Sequence, residues 1–249
     1  MIIKMNRIFT IADIHGELDK LNTLLTNLEL QPTDSFIFIG DYVDRGPNSY
    51  GVIERLLELE KTNKCVFLAG NHDVCFWDDT MFREGYSVEP KKLSQLLNNE
   101  RRYTLWNQGA KETYQSYINA GKLPDVHLPF YKKLEPYYIL ESDGKKHLFI
   151  HGGYNRHELL ETQKNNTVFF WDRDLLLSAY SNHTMQTHTY KLKNKDNFRF
   201  IYVGHTPVNY WGFTEPQLWS NVWAMDTGVG KYKDAELYAL EINSHKLYK

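Results

Sequence analysis

The chain has 249 residues, 42% of them hydrophobic and 24% charged, with a formal net charge of −2. These values suit one large soluble domain with a sheet-based core and room for an insertion. They exclude the broad basic footprint of a nucleic-acid binder, and no apolar run approaches the ~20 residues that a membrane span requires.

Residues 1–7 lack the long apolar core of a signal peptide. Cys65 and Cys75 offer no disulfide framework, and the expectation is two reduced thiols, one in a strand and one near its end, in a cytoplasmic protein.

In chain order, residues 7–12 form a short β-favouring run that stops at Asp13. Leucines 18, 21, 24, 25 and 28 then recur at helical spacing. A second apolar run, 35–39, stops at Gly40-Asp41; helical periodicity returns over 50–61, and a third run, 65–68, stops at Gly70-Asn71-His72. Strand, helix, strand, helix, strand predicts parallel pairing with right-handed crossovers. In each case the polar motif follows the strand's C-terminal end, where open α/β sheets build their ligand sites.

Residues 74 to about 135 break this pattern. They are rich in aromatic and helix-forming residues (Phe76, Trp77, Phe82, Tyr86, Tyr103, Trp106, Tyr114, Tyr117). The expectation is a mainly helical insertion within a single domain spanning 1–249, its aromatics forming local core. Strands are then predicted at 137–142 and 147–150 around an Asp143-Gly144 turn, and at 200–203, 222–225 and 236–242. The polar stretch 178–197 reads as a loop. His127, His147, His157, His183, His188 and His245 fall outside any ligand-spaced group and read as surface or internally satisfied residues.

Five islands carry the chemistry: Asp13-Ile14-His15-Gly16, the run 40–46 with Asp41, Asp44 and Arg45, Gly70-Asn71-His72-Asp73, His151-Gly152-Gly153 and Gly204-His205-Thr206-Pro207. Two Asp, one Asn and three His are the side-chain types that hold a pair of transition-metal ions. Two dications a few ångströms apart repel unless an anion lies between them, and Asp41, on the second island, is the natural bridge. Asp13 and His15 can turn to one ion, with Asn71, His151 and His205 completing the other. Mixed nitrogen and oxygen donors favour Mn, Fe or Zn over Mg or Ca, and Mn is the expected occupant.

Two dications less two aspartates and a bridging hydroxide leave about +1, which attracts an anion, and such a pair activates water and clamps an in-line phosphoryl displacement. Arg45 adds a bidentate fork for phosphate oxygens. His72, beside Asn71, is placed to protonate the leaving oxygen, and Asp44 to orient that imidazole.

These motifs resemble the calcineurin-like metallophosphoesterases, in particular the phosphoprotein phosphatase branch, over most of the chain from Asp13 to about residue 240. The resemblance implies an α/β (α+β) fold, a central β-sandwich flanked by helices, with a dinuclear centre at the strand ends. Trp171-Asp172-Arg173 resembles the family's Trp-x-Arg element and makes Arg173 a second phosphate-binding arginine. Residues 225–228 resemble a late Asp-Thr-Gly element whose Asp226 reads as structural. Trp106-Asn107-Gln108-Gly109 with Thr113 resembles a segment common to bacterial members.

Three positions depart from the pattern: Ala12 replaces a glycine, Asp73 a glutamate, and Ala69 an arginine of phage-like members. The implied activity is hydrolysis of phosphoserine or phosphothreonine in proteins by metal-bound hydroxide. The alternatives are symmetrical diadenosine tetraphosphate hydrolysis and a non-catalytic scaffold; Asp44, often Ala in the first of these, favours the phosphatase. The expected partner is a phosphoprotein or small phosphoester, without nucleic acid or membrane.

Overall fold

The short apolar runs do become strands. A computed structural model describes residues 6–81, 108–163, 167–185 and 191–249. Ile8–Ile11 (β1), Ser35–Phe38 (β2) and Lys64–Phe67 (β3) are parallel neighbours. Ala239–Glu241 (β9) joins β1 antiparallel and carries Leu247–Tyr248 (β10), giving the order β10-β9-β1-β2-β3. The second sheet contains Tyr137–Ser142 (β4), Lys145–Ile150 (β5), Phe200–Val203 (β6), Gln217–Trp219 (β7) and Val222–Ala224 (β8), in the order β4-β5-β6-β8-β7. Its three central strands, β5, β6 and β8, are parallel.

Alternation along each strand decides what its two faces cover. Phe36 and Phe38 pack outward on Leu18–Asn27 (α1) and Ser49–Glu60 (α2), whose Leu21, Leu24, Leu25, Val52, Ile53, Leu56 and Leu59 are buried at helical spacing. Asn48 starts α2 by accepting the Gly51 N–H at 2.8 Å, an N-cap worth roughly 1 kcal/mol. Ile37 faces the other way, in a cluster that joins Ile39 and Leu68 to Phe149, Tyr202 and Trp223 of the second sheet. The Phe149 and Tyr202 rings there stack 4.4 Å apart. The second sheet's outer face, including Leu148, Ile201 and Val222, packs on Phe169, Leu175, Leu176 and Ala179. The result is helices, sheet, sheet and helices: the helix-flanked β-sandwich.

Within the 74–135 segment, the described residues give Asn71–Met81 (α3), Ala110–Asn119 (α4), a 3₁₀ turn at Pro124–His127 and Leu128–Lys132 (α5). Phe82, Tyr86, Tyr103 and Trp106 lie outside the described residues, as does the Trp77 side chain.

Two expectations need correction. Cys75 sits in α3 rather than at a strand end, although neither cysteine is in a disulfide. The stretch 178–197 is not a loop throughout: Asp174–Thr184 is a helix (α7), following the short helix Thr167–Trp171 (α6). Buried Leu175, Leu176 and Ala179 hold α7 in place, while its exposed polar side chains mask the periodicity. His188 lies outside the described residues.

Candidate metal centre

All five islands sit just past strand C-termini, and the turns they make are unusual. Eleven described non-glycine residues have positive φ, and six of them are candidate site residues: Asp13 (46°), His15 (46°), Asp41 (55°), Asp44 (72°), Arg45 (69°) and His205 (66°). Each such conformation costs on the order of 1 kcal/mol or more and survives only where its surroundings impose it. Here the imposing contacts are backbone hydrogen bonds between islands. The N–H groups of Ile14 and His15 both donate to Asp41 O at 2.9 Å, and Gly46 N–H donates to His15 O at 2.9 Å. Two glycines allow close approach to carboxylates, since a Cβ on Gly70 would lie 2.1 Å from Asp41 Oδ1 and one on Gly204 2.2 Å from Asp13 Oδ2.

The donors these turns present fit two cations. Asp41 Oδ2 lies 3.5 Å from His15 Nε2 and 3.4 Å from His151 Nε2. Asn71 Oδ1 is 3.1 Å from His151 Nε2 and 2.8 Å from His205 Nδ1. Asp13 accepts the His205 N–H at 3.1 Å, across the two sheets. His15 Nδ1 donates to Val43 O and His151 Nδ1 to Ile39 O, each at 2.8 Å. A carbonyl only accepts, so these bonds place the neutral ring's proton on Nδ1 and free Nε2 as a ligand.

Ligand-type atoms of Asp13, Asp41 and His151 lie within 4.8 Å of one another, and so do those of His15, Asp41 and His72. Asp41 belongs to both groups, as a bridge must. His72 joins the second group by position, but its Nδ1 is committed to Asp44.

The protein's own charges conflict here. Burial, with Asp226 and Asp41 nearby, pushes the Asp13 carboxyl well above the usual carboxylate range. Burial also lifts Asp226 to about 6 and, together with Asp41, Asp73 to about 7. For Asp41 burial works the same way, but His151 and His72 overcome it and hold the carboxyl well below its ordinary value. Burial would neutralise His151, yet Asp41 holds its imidazole up at about 10. Burial and His151 push His205 down to about 3. Dications between these groups would let every carboxylate ionise and every imidazole stay neutral.

The remaining candidates surround this cluster. His72 Nδ1 donates to Asp44 Oδ2 at 2.7 Å, while Asp44 Oδ1 accepts the Thr113 hydroxyl at 2.7 Å. Arg45 reaches both rings, with Nη1 2.6 Å from His15 Nε2 and Nη2 3.0 Å from His72 Nε2. Arg173 Nε donates to His205 Nε2 at 3.3 Å, and the Trp171 ring stands edge-on to His205 at 5.8 Å. All ten predicted site residues thus converge on one end of the sandwich.

The other histidines differ. Buried His127 bonds Tyr117 and Glu54, each at 2.7 Å, and His147 bonds Tyr202 at 3.3 Å.

The sequence signature described as calcineurin-like phosphoesterase matches residues 6–209. The chain belongs to that family. Among relatives of this phosphoesterase, the asymmetrical bis(5'-nucleosyl)-tetraphosphatase PrpE of Oceanobacillus iheyensis is 35% identical over 236 residues, 89% of this chain and 84% of that protein. A putative serine/threonine-protein phosphatase of Caenorhabditis elegans, C27B7.6, is 40% identical over 65 residues, 25% of this chain and 14% of that protein. A solved structure described as a putative diadenosine tetraphosphatase superposes with a TM-score of 0.56 at 17% identity, covering 99% of this chain and 94% of that one. That last likeness is one of fold.

As a calcineurin-like phosphoesterase the protein is a metal-dependent hydrolase of phosphoesters, and no helix among its described residues is long and apolar enough to cross a membrane.

Two residues outside the ten predicted site residues support the cluster. Thr113, noted in the sequence only as part of a bacterial segment, accepts the Asp44 N–H at 2.7 Å as well as donating to its carboxylate. Asp73 accepts the N–H groups of Asp41, Tyr42 and Gly70 at 2.7, 3.0 and 2.9 Å. Its signal was the acid that ends the third island.

Proposed function

We propose that this phosphoesterase removes phosphate from phosphoserine and phosphothreonine in proteins, with two divalent ions, manganese first among them, held by Asp13, His15, Asp41, Asn71, His151 and His205. When bound, such a pair supplies an activated water and charge for the phosphoryl oxygens. Arg45 and Arg173, on opposite sides of the cluster, orient the phosphate by charge-assisted hydrogen bonds. His72 keeps Nδ1 on Asp44, and once Arg45, whose guanidinium donates to His72 Nε2 here, turns to the phosphate, Nε2 takes up a proton and gives it to the leaving oxygen. Metal-dependent reaction at one end of a single domain, with the 74–135 segment inserted, is the architecture we infer, and two cysteines outside any disulfide suit the cytoplasm.

The observation that carries this reading is the 2.7 Å His72–Asp44 bond. A serine or threonine alkoxide is a poor leaving group and requires a proton donor of this kind. A nucleotide leaves as a stabilised phosphate anion and requires one less. The second reading is dinucleoside tetraphosphate hydrolysis, favoured by the 35% identity to the tetraphosphatase of Oceanobacillus iheyensis over 84% of that protein. Comparing kcat/KM for phosphoserine peptides and diadenosine tetraphosphate decides between them. A tenfold advantage of the tetraphosphate, about 1.4 kcal/mol in the transition state, would replace the first reading by the second.

A further inference from the structure

Beside the His72–Asp44 pair the surface opens into a depression of about 640 Å³, lined by Arg45, Gln108, Lys111, Glu112 and Lys231 among others. That volume is within the range of ligand sites. Among the described residues its three cations come from three separate places: the turn after β2, the first turn of α4 and the segment between β8 and β9. Among the same residues one acid, Glu112, opposes them.

Lys231 is exposed but rests against two tyrosines. Its Nζ donates to Tyr210 Oη at 2.8 Å and lies 4.7 Å from the centre of the Tyr210 ring and 5.5 Å from that of Tyr232. Lys111 occupies a first helical turn, where the helix dipole disfavours a cation.

The depression also has a definite relation to the chemistry. Arg45 lines it, and the Nη2 of Arg45 is 3.0 Å from His72 Nε2. On the reading that His72 protonates the leaving oxygen, the space past Arg45 receives what lies beyond that oxygen.

We infer that this depression is a subsite for the leaving group, and that it selects leaving groups carrying further negative charge. In a phosphoprotein the charge is a carboxylate beside the phosphoserine; in a dinucleoside polyphosphate it is the rest of the phosphate chain. Lys111 and Lys231 recognise this charge, and neither belongs to the metal or proton-donor set. The inference rests on the proton-donor role proposed for His72.

The test uses the full-length, metal-loaded enzyme at low salt, where such charge pairing is least screened. Wild type should favour a phosphoserine peptide flanked by aspartates over the same peptide flanked by alanines, by about fivefold or more in kcat/KM. In Lys111→Glu/Lys231→Glu that preference should vanish or invert, with metal content and p-nitrophenyl phosphate turnover unchanged. Lys111→Gln/Lys231→Gln should give the intermediate result and guards against a local folding fault. Diadenosine tetraphosphate forms the second arm: a loss there alone identifies the charge as phosphate. A preference unchanged by both double variants in both arms would overturn the subsite. His72→Asn reads the proton-donor role separately, since equal losses on peptide and p-nitrophenyl phosphate would remove that role whatever the lysine variants do.

Discussion

The Asp73 carboxylate accepts the backbone N–H of Asp41 at 2.7 Å, so one acid sets the turn that aims another. Its other two bonds, from Tyr42 and Gly70, fix the same turn against the third island. Asp73→Asn turns an amide NH₂ towards donors that need an acceptor. We predict a metal affinity about 10–100-fold weaker, although Asp73 has no assigned place among the ligands. Metal titration of the purified variant checks this; unchanged affinity would make Asp73 a purely structural acid.

Asp41 and Arg45 should separate metal from phosphate. Asp41→Asn should lower bound metal as well as rate. Arg45→Ala should keep its metal and raise KM, since its guanidinium is proposed to hold phosphate and is not among the metal ligands. Elemental analysis beside steady-state kinetics decides, and full metal occupancy with near wild-type activity in Asp41→Asn would end the bridging assignment.

His72→Asn should cost about 10²–10⁴-fold on a phosphoserine peptide and distinctly less on p-nitrophenyl phosphate, whose leaving group departs without a proton. Metal content should not change.

Thr113 should matter through Asp44. Thr113→Val removes the donor to Asp44 Oδ1 and an acceptor of the Asp44 N–H, which keeps Ser49 Oγ at 3.2 Å. Leaving buried groups unpaired costs roughly 1–3 kcal/mol. The expected outcome is about a tenfold lower kcat on phosphoserine peptides, little change in KM, and recovery in Thr113→Ser. Equal kcat losses on activated and unactivated esters would mean that Thr113 acts on folding instead.

Metal binding should strengthen as pH rises. In the metal-free protein His151 is held up at about 10 by Asp41, so near neutral pH an incoming cation must displace its proton. Raising pH towards 10 removes that competition and lowering pH increases it. Calorimetric titration in two buffers of different ionisation heat should show proton release on metal uptake. No release at pH 7 would contradict the His151–Asp41 pairing.

Much of this was legible in the sequence because the apolar runs that carry the site end at or within three residues of a polar motif, as at Ile39-Gly40-Asp41 and Ile150-His151. Strand period and ligand chemistry are both local signals. The contacts of Thr113 and Asp73 are not local, since they reach back 69 and 32 residues to Asp44 and Asp41. Only the packed sheets bring them together. Helix α7 was hidden because three buried residues suffice to seat it while its polar face imitates a loop. Strands β7 and β10, with 3 and 2 residues, are too short for any periodicity to register.

The hydrogen bond from His205 to Asp13 joins residues 192 apart in the chain. During synthesis, Asp13, His15, Asp41 and Asn71 leave the ribosome long before His151 and His205. A nascent chain that has paired only β1, β2 and β3 therefore presents Asp13, His15, Asp41 and Asn71 without their later partners. The full set of imidazoles arrives when the second sheet docks. The complete donor set therefore exists only once β9 has closed the first sheet and the second sheet has packed on it, so the site is finished late in folding.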